Sequence, residues 1–175
     1  SRCILIYGTM DILVKPPNVF SWQGETFHCA LGRGGVVPDK SEGDGGTPTG
    51  SFPLRQVFFR PDRLPPPETP LPIQALKQHD GWCDDSEANE YNTLIQKPFS
   101  RRHEQLWRDD SVYDVIVVLG YNDAPALKGK GSAIFLHVAK PNYSPTEGCV
   151  ALSLDNLLHV LKTITPETRL VVSLD

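Results

Sequence analysis

Residues 134–138 read Ile134-Phe135-Leu136-His137-Val138, and residues 146–152 read Thr146-Glu147-Gly148-Cys149-Val150-Ala151-Leu152. The first segment is apolar and β-rich, so 132–138 is predicted to be a buried strand that carries His137 near its end. The second segment places Cys149 directly after a glycine and ahead of a helix that Ser153 can cap. An imidazole and a thiol therefore occur in neighbouring predicted elements.

Strand patterns also dominate the remainder of the chain. The further predicted strands are Cys3–Tyr7, Val19–Trp22, Thr26–Leu31, Ser51–Leu54, Val112–Leu119 and Arg169–Leu174. Gly24 is expected in the turn of a hairpin between the second and third of these, because glycine adopts the positive φ that tight hairpin turns require. A second hairpin is expected to start at Ser51.

The predicted helices are few and short. Ser86 is expected to cap a helix over 86–96, and a second helix follows Cys149 directly and is closed by Pro166. Its apolar positions at helical spacing are Leu154, Leu157, Leu158, Leu161 and Ile164. The glycine-rich segment 32–53 and the proline-dense segment 60–72 are predicted to be a loop and an extended surface crossing. We therefore expect a mainly β fold with a sandwich or barrel-like core.

Length and composition limit the possible partners. A chain of 175 residues is predicted to form one domain over 1–175. The net charge is −4 and no basic patch occurs, so nucleic acid is not an expected partner. No apolar run approaches the roughly 20 residues of a membrane span. We expect a monomer, and no leader sequence is visible after Ser1.

The chain has four cysteines: Cys3, Cys29, Cys83 and Cys149. They are widely spaced and form no paired zinc motif, which argues against a structural metal site. Two disulfides are arithmetically possible, but buried free thiols are the commoner outcome in such a chain.

A thiol and an imidazole together can carry acyl-transfer chemistry. His137 can take the proton of Cys149 or, as imidazolium, stabilise its thiolate. Gly148 lets backbone and substrate approach closely, and the Cys149 amide is placed to donate to an oxyanion. Spacing alone favours a buried structural cysteine and a core histidine, so the flanking residues have to decide.

Those residues resemble the L,D-transpeptidase (YkuD-type) catalytic domain. The family motif is a strand-end histidine, a loop, and then Ser/Thr-His-Gly-Cys. Here His137 matches the base, Cys149 the nucleophile, Gly148 the preceding glycine and Thr146 the Ser/Thr. Further segments that resemble a compact branch of the family are 31–36, 42–54, 80–85, 90–92 and 113–119.

The resemblance implies a cysteine enzyme of the bacterial cell envelope or periplasm, although the sequence alone leaves the cytoplasm open. Its acyl donor would be a peptidoglycan stem peptide, and an amine would be the acceptor of the thioester. No metal or organic cofactor is implied. An L,D-carboxypeptidase or amidase of the same fold, a wall-binding module without catalysis, and a β-rich carbohydrate-binding domain are the alternatives.

Two positions depart from the family motif. Glu147 replaces the histidine before Gly148, and Ala151 replaces an arginine that often follows the nucleophile. A carboxylate that faced the thiol would raise the pKa of Cys149, so we expect Glu147 to point away from it, towards an amide-rich rim or a basic group of the substrate. The other expected substrate-binding residues are Trp82, Asp84, Tyr91 and Asn92.

Overall fold

The structure is a computed structural model and describes residues 10–175. The strand predicted over Cys3–Tyr7 lies outside the described residues. The strands are β1 (Asp11–Lys15), β2 (Val19–Trp22), β3 (Glu25–His28), β4 (Val36–Val37), β5 (Thr47–Pro48), β6 (Gly50–Phe59), β7 (Ile73–Ala75), β8 (Asp80–Cys83), β9 (Leu94–Gln96), β10 (His103–Gln105), β11 (Val115–Leu119), β12 (Phe135–Val138), β13 (Val150–Leu152) and β14 (Arg169–Val172). Helix α1 spans Leu154–Thr163. Within the described residues, no helix is long and apolar enough to cross a membrane.

The largest sheet curves into a nearly closed barrel. Its order is β13-β12-β11-β6-β14-β1-β2-β3, and β7 pairs with β6 beside this path. The two ends of the path meet where Ala30, just after β3, and Ala151 in β13 exchange two backbone hydrogen bonds of 2.9 Å. Closure leaves few unpaired edges on this sheet. The mainly β, barrel-like architecture expected from the sequence is confirmed.

The two faces of the sheet carry different side chains. Leu136, Val150 and Leu152 pack on one face, in the main core, together with Leu157 and Leu161 of α1. On the opposite face, a second cluster contains these residues: Phe58, Leu76, Trp82, Leu106, Val112, Tyr113, Ile116, Val118, Ala133, Phe135 and Cys149. Alternate residues of a strand point to opposite faces, so the sequence of β12 itself separates the two clusters.

A smaller sheet, in the order β10-β8-β9, covers part of the second face. Trp82 of β8 packs edge-to-face on Phe135 of β12, with ring centroids 5.0 Å apart. Such aromatic pairs favour this offset geometry and fix the distance between two sheets. The small sheet therefore forms a second wall opposite β12.

The hairpin predicted around Gly24 is confirmed. β2 and β3 are antiparallel, and Trp22 pairs with Glu25 across a turn formed by Gln23 and Gly24. Both turn residues have positive φ, 51° and 78°. This is the backbone of a type I′ turn, whose twist matches that of the flanking strands.

The helix predicted over 86–96 is wrong. Turns occupy 86–92, and Leu94–Gln96 is β9 of the small sheet. Asn92 adopts φ +61°, which ends any right-handed helix, and Ile95 is buried in the small sheet's own cluster. The hairpin expected at Ser51 is also wrong, since Ser51 belongs to the long strand β6, which lies between β11 and β14. The proline-dense segment then leads the chain to β7, which pairs with β6 in parallel.

Helix α1 follows Cys149 after the short strand β13. The Ser153 hydroxyl caps it by accepting the Asn156 N–H at 3.2 Å, as predicted. The helix ends at Thr163, ahead of Pro166, and its buried side chains close the main core. The helix thus packs behind β13 through the main core. Because β13 separates the two in sequence, the helix does not begin directly at Cys149.

We expect Leu157→Ala to lower the free energy of unfolding by about 3 kcal/mol, because it removes a fully buried side chain from this core. Lys162→Ala, on the exposed side of the same helix, is the matched control and should change it by less than about 0.5 kcal/mol. Urea unfolding of both variants measures the two values. Equal effects would mean that α1 does not pack as described.

Candidate active site

A cavity of about 870 Å³ opens on the second face of the barrel. Its lining comes from the end of β12, the turn before β13, the small sheet and the glycine-rich loop. Cys149 and His137 both line it, together with Tyr113 and Glu104. The two residues expected to carry the chemistry are therefore on one face and in one cavity.

Strand register places the thiol and the imidazole on this face. β12 and β13 are parallel, and His137 pairs with Ala151. Cys149 is two residues before Ala151, so its side chain projects to the same side as those of His137 and Phe135. Its Sγ accepts the Phe135 N–H at 3.3 Å and donates to the Ala133 carbonyl at 3.2 Å.

The histidine ring is held at two points. Nδ1 lies 2.9 Å from the carbonyl oxygen of Val138. Since a carbonyl oxygen only accepts hydrogen bonds, the tautomer that satisfies this contact carries its proton on Nδ1. The ring also packs edge-on against Tyr113, with centroids 5.4 Å apart. This arrangement leaves Nε2 of His137 without a proton and able to accept one.

Burial keeps both groups uncharged. Desolvation raises the pKa of Cys149 to about 12, and the negative charge of Glu104 adds to this shift. Desolvation also lowers the pKa of His137 to about 4. At neutral pH the pair is therefore a thiol and a neutral imidazole.

The turn before Cys149 has room only for glycine at position 148. Gly148 has φ +138°, and a Cβ there would lie 2.7 Å from the Gly46 carbonyl oxygen. Thr146 fixes the same turn, since its hydroxyl accepts the Gly148 N–H at 3.0 Å and donates to the Cys149 carbonyl at 2.7 Å. The Gly148 amide is thus occupied, and the Cys149 amide is the one we assign to an oxyanion.

The glycine-rich loop, which the sequence indicated only as a loop, packs directly under this turn. A Cβ on Gly32 would lie 2.2 Å from the Gly45 carbonyl oxygen and 3.0 Å from Gly148 Cα. Asp44 holds the loop through the Gly46 N–H, at 2.8 Å, and through buried Lys40, at 2.6 Å. The small residues are required because three backbone segments meet here.

Glu147 points out of the cavity mouth. Arg33 Nε lies 3.0 Å from both of its carboxylate oxygens, and the Glu147 side chain is 77% exposed. Its charge is not among the causes of the raised pKa of Cys149. The carboxylate therefore turns away from the thiol, as expected, but its partner in the structure is a cation of the same chain.

Three of the expected substrate-binding residues lie outside the cavity lining. Trp82 donates its indole N–H to Asn92 Oδ1 at 2.9 Å. Asn92 also accepts the Ala133 N–H at 3.0 Å and donates to the carbonyls of Tyr121 and Asn122. All the hydrogen-bonding capacity of this buried amide is used, so its assignment to substrate binding is corrected to support of Ala133.

Tyr91 is buried in the same way. Its hydroxyl donates to Glu42 at 2.7 Å and accepts the Gly131 N–H at 2.9 Å. It ties the loop before β12 to the glycine-rich loop and presents no free polar atom to a ligand. Asp84, in contrast, does line the cavity, where it pairs with Arg102 at 3.2 Å.

Sequence reasoning missed other residues of the cavity wall. They are Lys40, Glu42, Arg102, Glu104, Arg108, Tyr113, Ser132 and Lys140. They come from four separate parts of the chain, 40–42, 102–113, 132 and 140, and no local motif joins these parts. Among residues 10–175, no group of three or more acidic, histidine or cysteine side chains could hold a metal ion. Cys29, Cys83 and Cys149 are buried free thiols, and Cys3 lies outside the described residues.

Comparisons with known proteins extend these observations. No curated protein matches the sequence. Among solved structures, the crystal structure of Mycobacterium tuberculosis L,D-transpeptidase 1 is similar, with 15% identity and a TM-score of 0.42. The alignment covers 93% of this chain and 60% of that one, so this chain spans less than two thirds of that relative. The family model for the L,D-transpeptidase catalytic domain, YkuD, matches residues 15–172. Because that match covers most of its length, the chain belongs to the YkuD family of L,D-transpeptidase catalytic domains.

Proposed function

We propose that the protein is a cysteine-dependent L,D-transpeptidase that acts on peptidoglycan stem peptides through a thioester. The observation that carries the proposal is the placement of Cys149 and His137 on one face of β12 and β13, in one cavity. Family membership supplies the substrate class, and with it a cell-envelope location. We expect the domain to act as a monomer.

In the first half-reaction, Cys149 attacks the carbonyl between an L-centre and a D-residue of the stem. His137 Nε2 accepts the thiol proton as the S–C bond forms, and the Cys149 N–H stabilises the oxyanion. The C–N bond then breaks, and His137 returns the proton to the amine of the departing D-residue. The Sγ–H must first leave the Ala133 carbonyl, to which it donates at 3.2 Å in the free protein.

In the second half-reaction, an amine of another stem attacks the thioester. His137 accepts the proton that the amine loses and passes it to the sulfur of Cys149 as the C–S bond breaks. The product is a cross-link. If water replaces the amine, the net reaction is L,D-carboxypeptidase trimming by the same residues.

A hydrolase is therefore the second candidate function. The open cavity supports it, because water can reach the thioester there. Incubation with defined tetrapeptide stems, followed by mass spectrometry, separates the two by product mass. A wall-binding module or a carbohydrate-binding domain would need neither the thiol nor the imidazole. Recovery of unchanged stems, with no Cys149 thioester, would contradict both enzymatic functions.

We expect a carbapenem β-lactam to form one adduct, on Cys149, because its strained amide mimics the acyl donor. The thiol opens the ring by attack at the carbonyl, and the ring nitrogen takes the proton, so the whole compound adds to the protein mass. Burial raises the pKa of Cys29, to about 12, and that of Cys83, and of the three cysteines in residues 10–175 only Cys149 lines the cavity that holds His137.

Intact-mass analysis with peptide mapping measures this. Cys149→Ala should abolish the adduct, and His137→Gln should slow its formation by about 100-fold or more, which is the usual contribution of a general base. Label distributed over several cysteines would show that Cys149 is not specially activated.

The pH dependence of acylation tests the protonation states. With the pKa of His137 near 4 and that of Cys149 near 12, both groups stay neutral over the intervening range. The acylation rate under kcat/KM conditions should therefore be level from about pH 9 to about pH 5 and fall below that as His137 is protonated. A rate that drops as the pH falls from 8 to 6 would instead indicate a titrating imidazole or thiolate of ordinary pKa.

A further inference from the structure

One acidic side chain in the cavity has no role in the mechanism above. Glu104 lies in the middle of β10, where it pairs with Trp82 of β8. Its side chain lines the cavity and accepts a hydrogen bond from the Tyr113 hydroxyl. Tyr113 is the residue whose ring packs against His137, so this carboxylate belongs to the wall nearest the reacting groups.

Three of the four lysines and arginines in the cavity lining pair with other carboxylates, and the fourth, Lys140, forms no ion pair with Glu104. Arg108 chelates Asp110 through two hydrogen bonds, of 2.8 and 2.6 Å. Arg102 pairs with Asp84, and Lys40 pairs with Asp44. Within residues 10–175, no ion pair reaches Glu104, and its one hydrogen bond comes from a neutral hydroxyl.

Burial makes this arrangement costly for an anion. Desolvation raises the pKa of Glu104, and a cation brought into the cavity would lower it again by attraction. A partly buried carboxylate that forms no ion pair can bind a group that brings a positive charge to it. The acceptor of a transpeptidation is such a group, because an aliphatic amine arrives at neutral pH as an ammonium ion.

We propose that Glu104, oriented by Tyr113, binds the ammonium group of the amine acceptor before it attacks the thioester on Cys149. The inference rests on the proposed function and names the group that selects the second substrate. It concerns binding only: the ammonium still has to lose a proton before its nitrogen becomes a nucleophile.

Two other carboxylates at the cavity are less suited to this role. Glu147 is exposed and already bound by Arg33 through both oxygens. Glu42 accepts hydrogen bonds from Tyr91 and Ser132 on a single oxygen, at 2.7 and 2.6 Å. Of the three, only Glu104 contributes to the raised pKa of Cys149.

The test measures how the Cys149 thioester partitions between nucleophiles. A tetrapeptide stem serves as donor, and water, the amine of a second stem, and hydroxylamine serve as competing acceptors. Hydroxylamine is uncharged at neutral pH, so its capture does not depend on recognition of an ammonium ion. The variants are Glu104→Gln, which keeps an oxygen acceptor for Tyr113, and Glu147→Gln, which removes the same charge at the cavity mouth.

We expect Glu104→Gln to lower capture by the stem amine, relative to water, by about tenfold or more, as for the loss of a charged hydrogen bond. Capture by hydroxylamine, relative to water, should stay within about twofold of the unmodified protein, because this ratio is set after the thioester has formed. Glu147→Gln should leave the capture by the stem amine and the capture by hydroxylamine, each relative to water, unchanged.

Several results would overturn the inference. An unchanged amine-to-water ratio in Glu104→Gln would do so, as would equal losses for the stem amine and hydroxylamine, or a loss of acylation itself. If the unmodified protein hydrolyses the thioester and transfers nothing to amines, the inference about Glu104 is also wrong. The formation of a thioester on Cys149 would then still be supported. Absence of any Cys149 thioester would remove the proposed function together with the inference.

Discussion

The parallel pairing of β12 with β13 is the constraint on which the site depends. It aligns His137 with Ala151 and so projects the Cys149 side chain to the face that carries the imidazole. A shift of one residue would send the thiol into the main core among Leu136 and Val150. Two features hold the register: the backbone bonds of Ala151 to Ala30, which close the barrel, and the fit of Gly148 against the Gly46 carbonyl, which no other residue allows.

The same placement sets the chemistry, because the face that carries the thiol is covered by the small sheet. This cover limits the access of water, and the resulting desolvation disfavours both the thiolate of Cys149 and the imidazolium of His137. In an enzyme whose resting state is a thiolate with an imidazolium, the nucleophile is already deprotonated but is also more easily oxidised. Here the neutral thiol donates to the Ala133 carbonyl, and in the proposed mechanism the proton moves only when a substrate brings an acyl carbon to the sulfur.

Sequence patterns predicted those features correctly that depend only on residues close together in the chain. The turn at Gly24, the Ser153 cap and the buried strand that carries His137 all follow from residues close in sequence, and each is present. The predicted helix over 86–96 failed because Asn92 makes its bonds to residues that are distant in sequence, Trp82, Tyr121 and Ala133 among them. A side chain whose hydrogen-bonding groups are all used by distant partners sets its own backbone conformation against local propensity.

The contrast between two glutamates shows why the cavity wall could not be derived from the motif. Glu147 is two residues from Cys149 in sequence, yet its charge is directed outward to Arg33 and is screened by solvent. Glu104 is far from Cys149 in sequence, yet the pairing of β10 with β8 brings it into the cavity, where its field acts on the sulfur through a medium that screens it poorly. Electrostatic influence on a nucleophile depends on burial along the path between the charges. If the proposed function holds, a carboxylate in the cavity wall is therefore a stronger determinant of which nucleophile approaches than one that flanks the thiol in the chain.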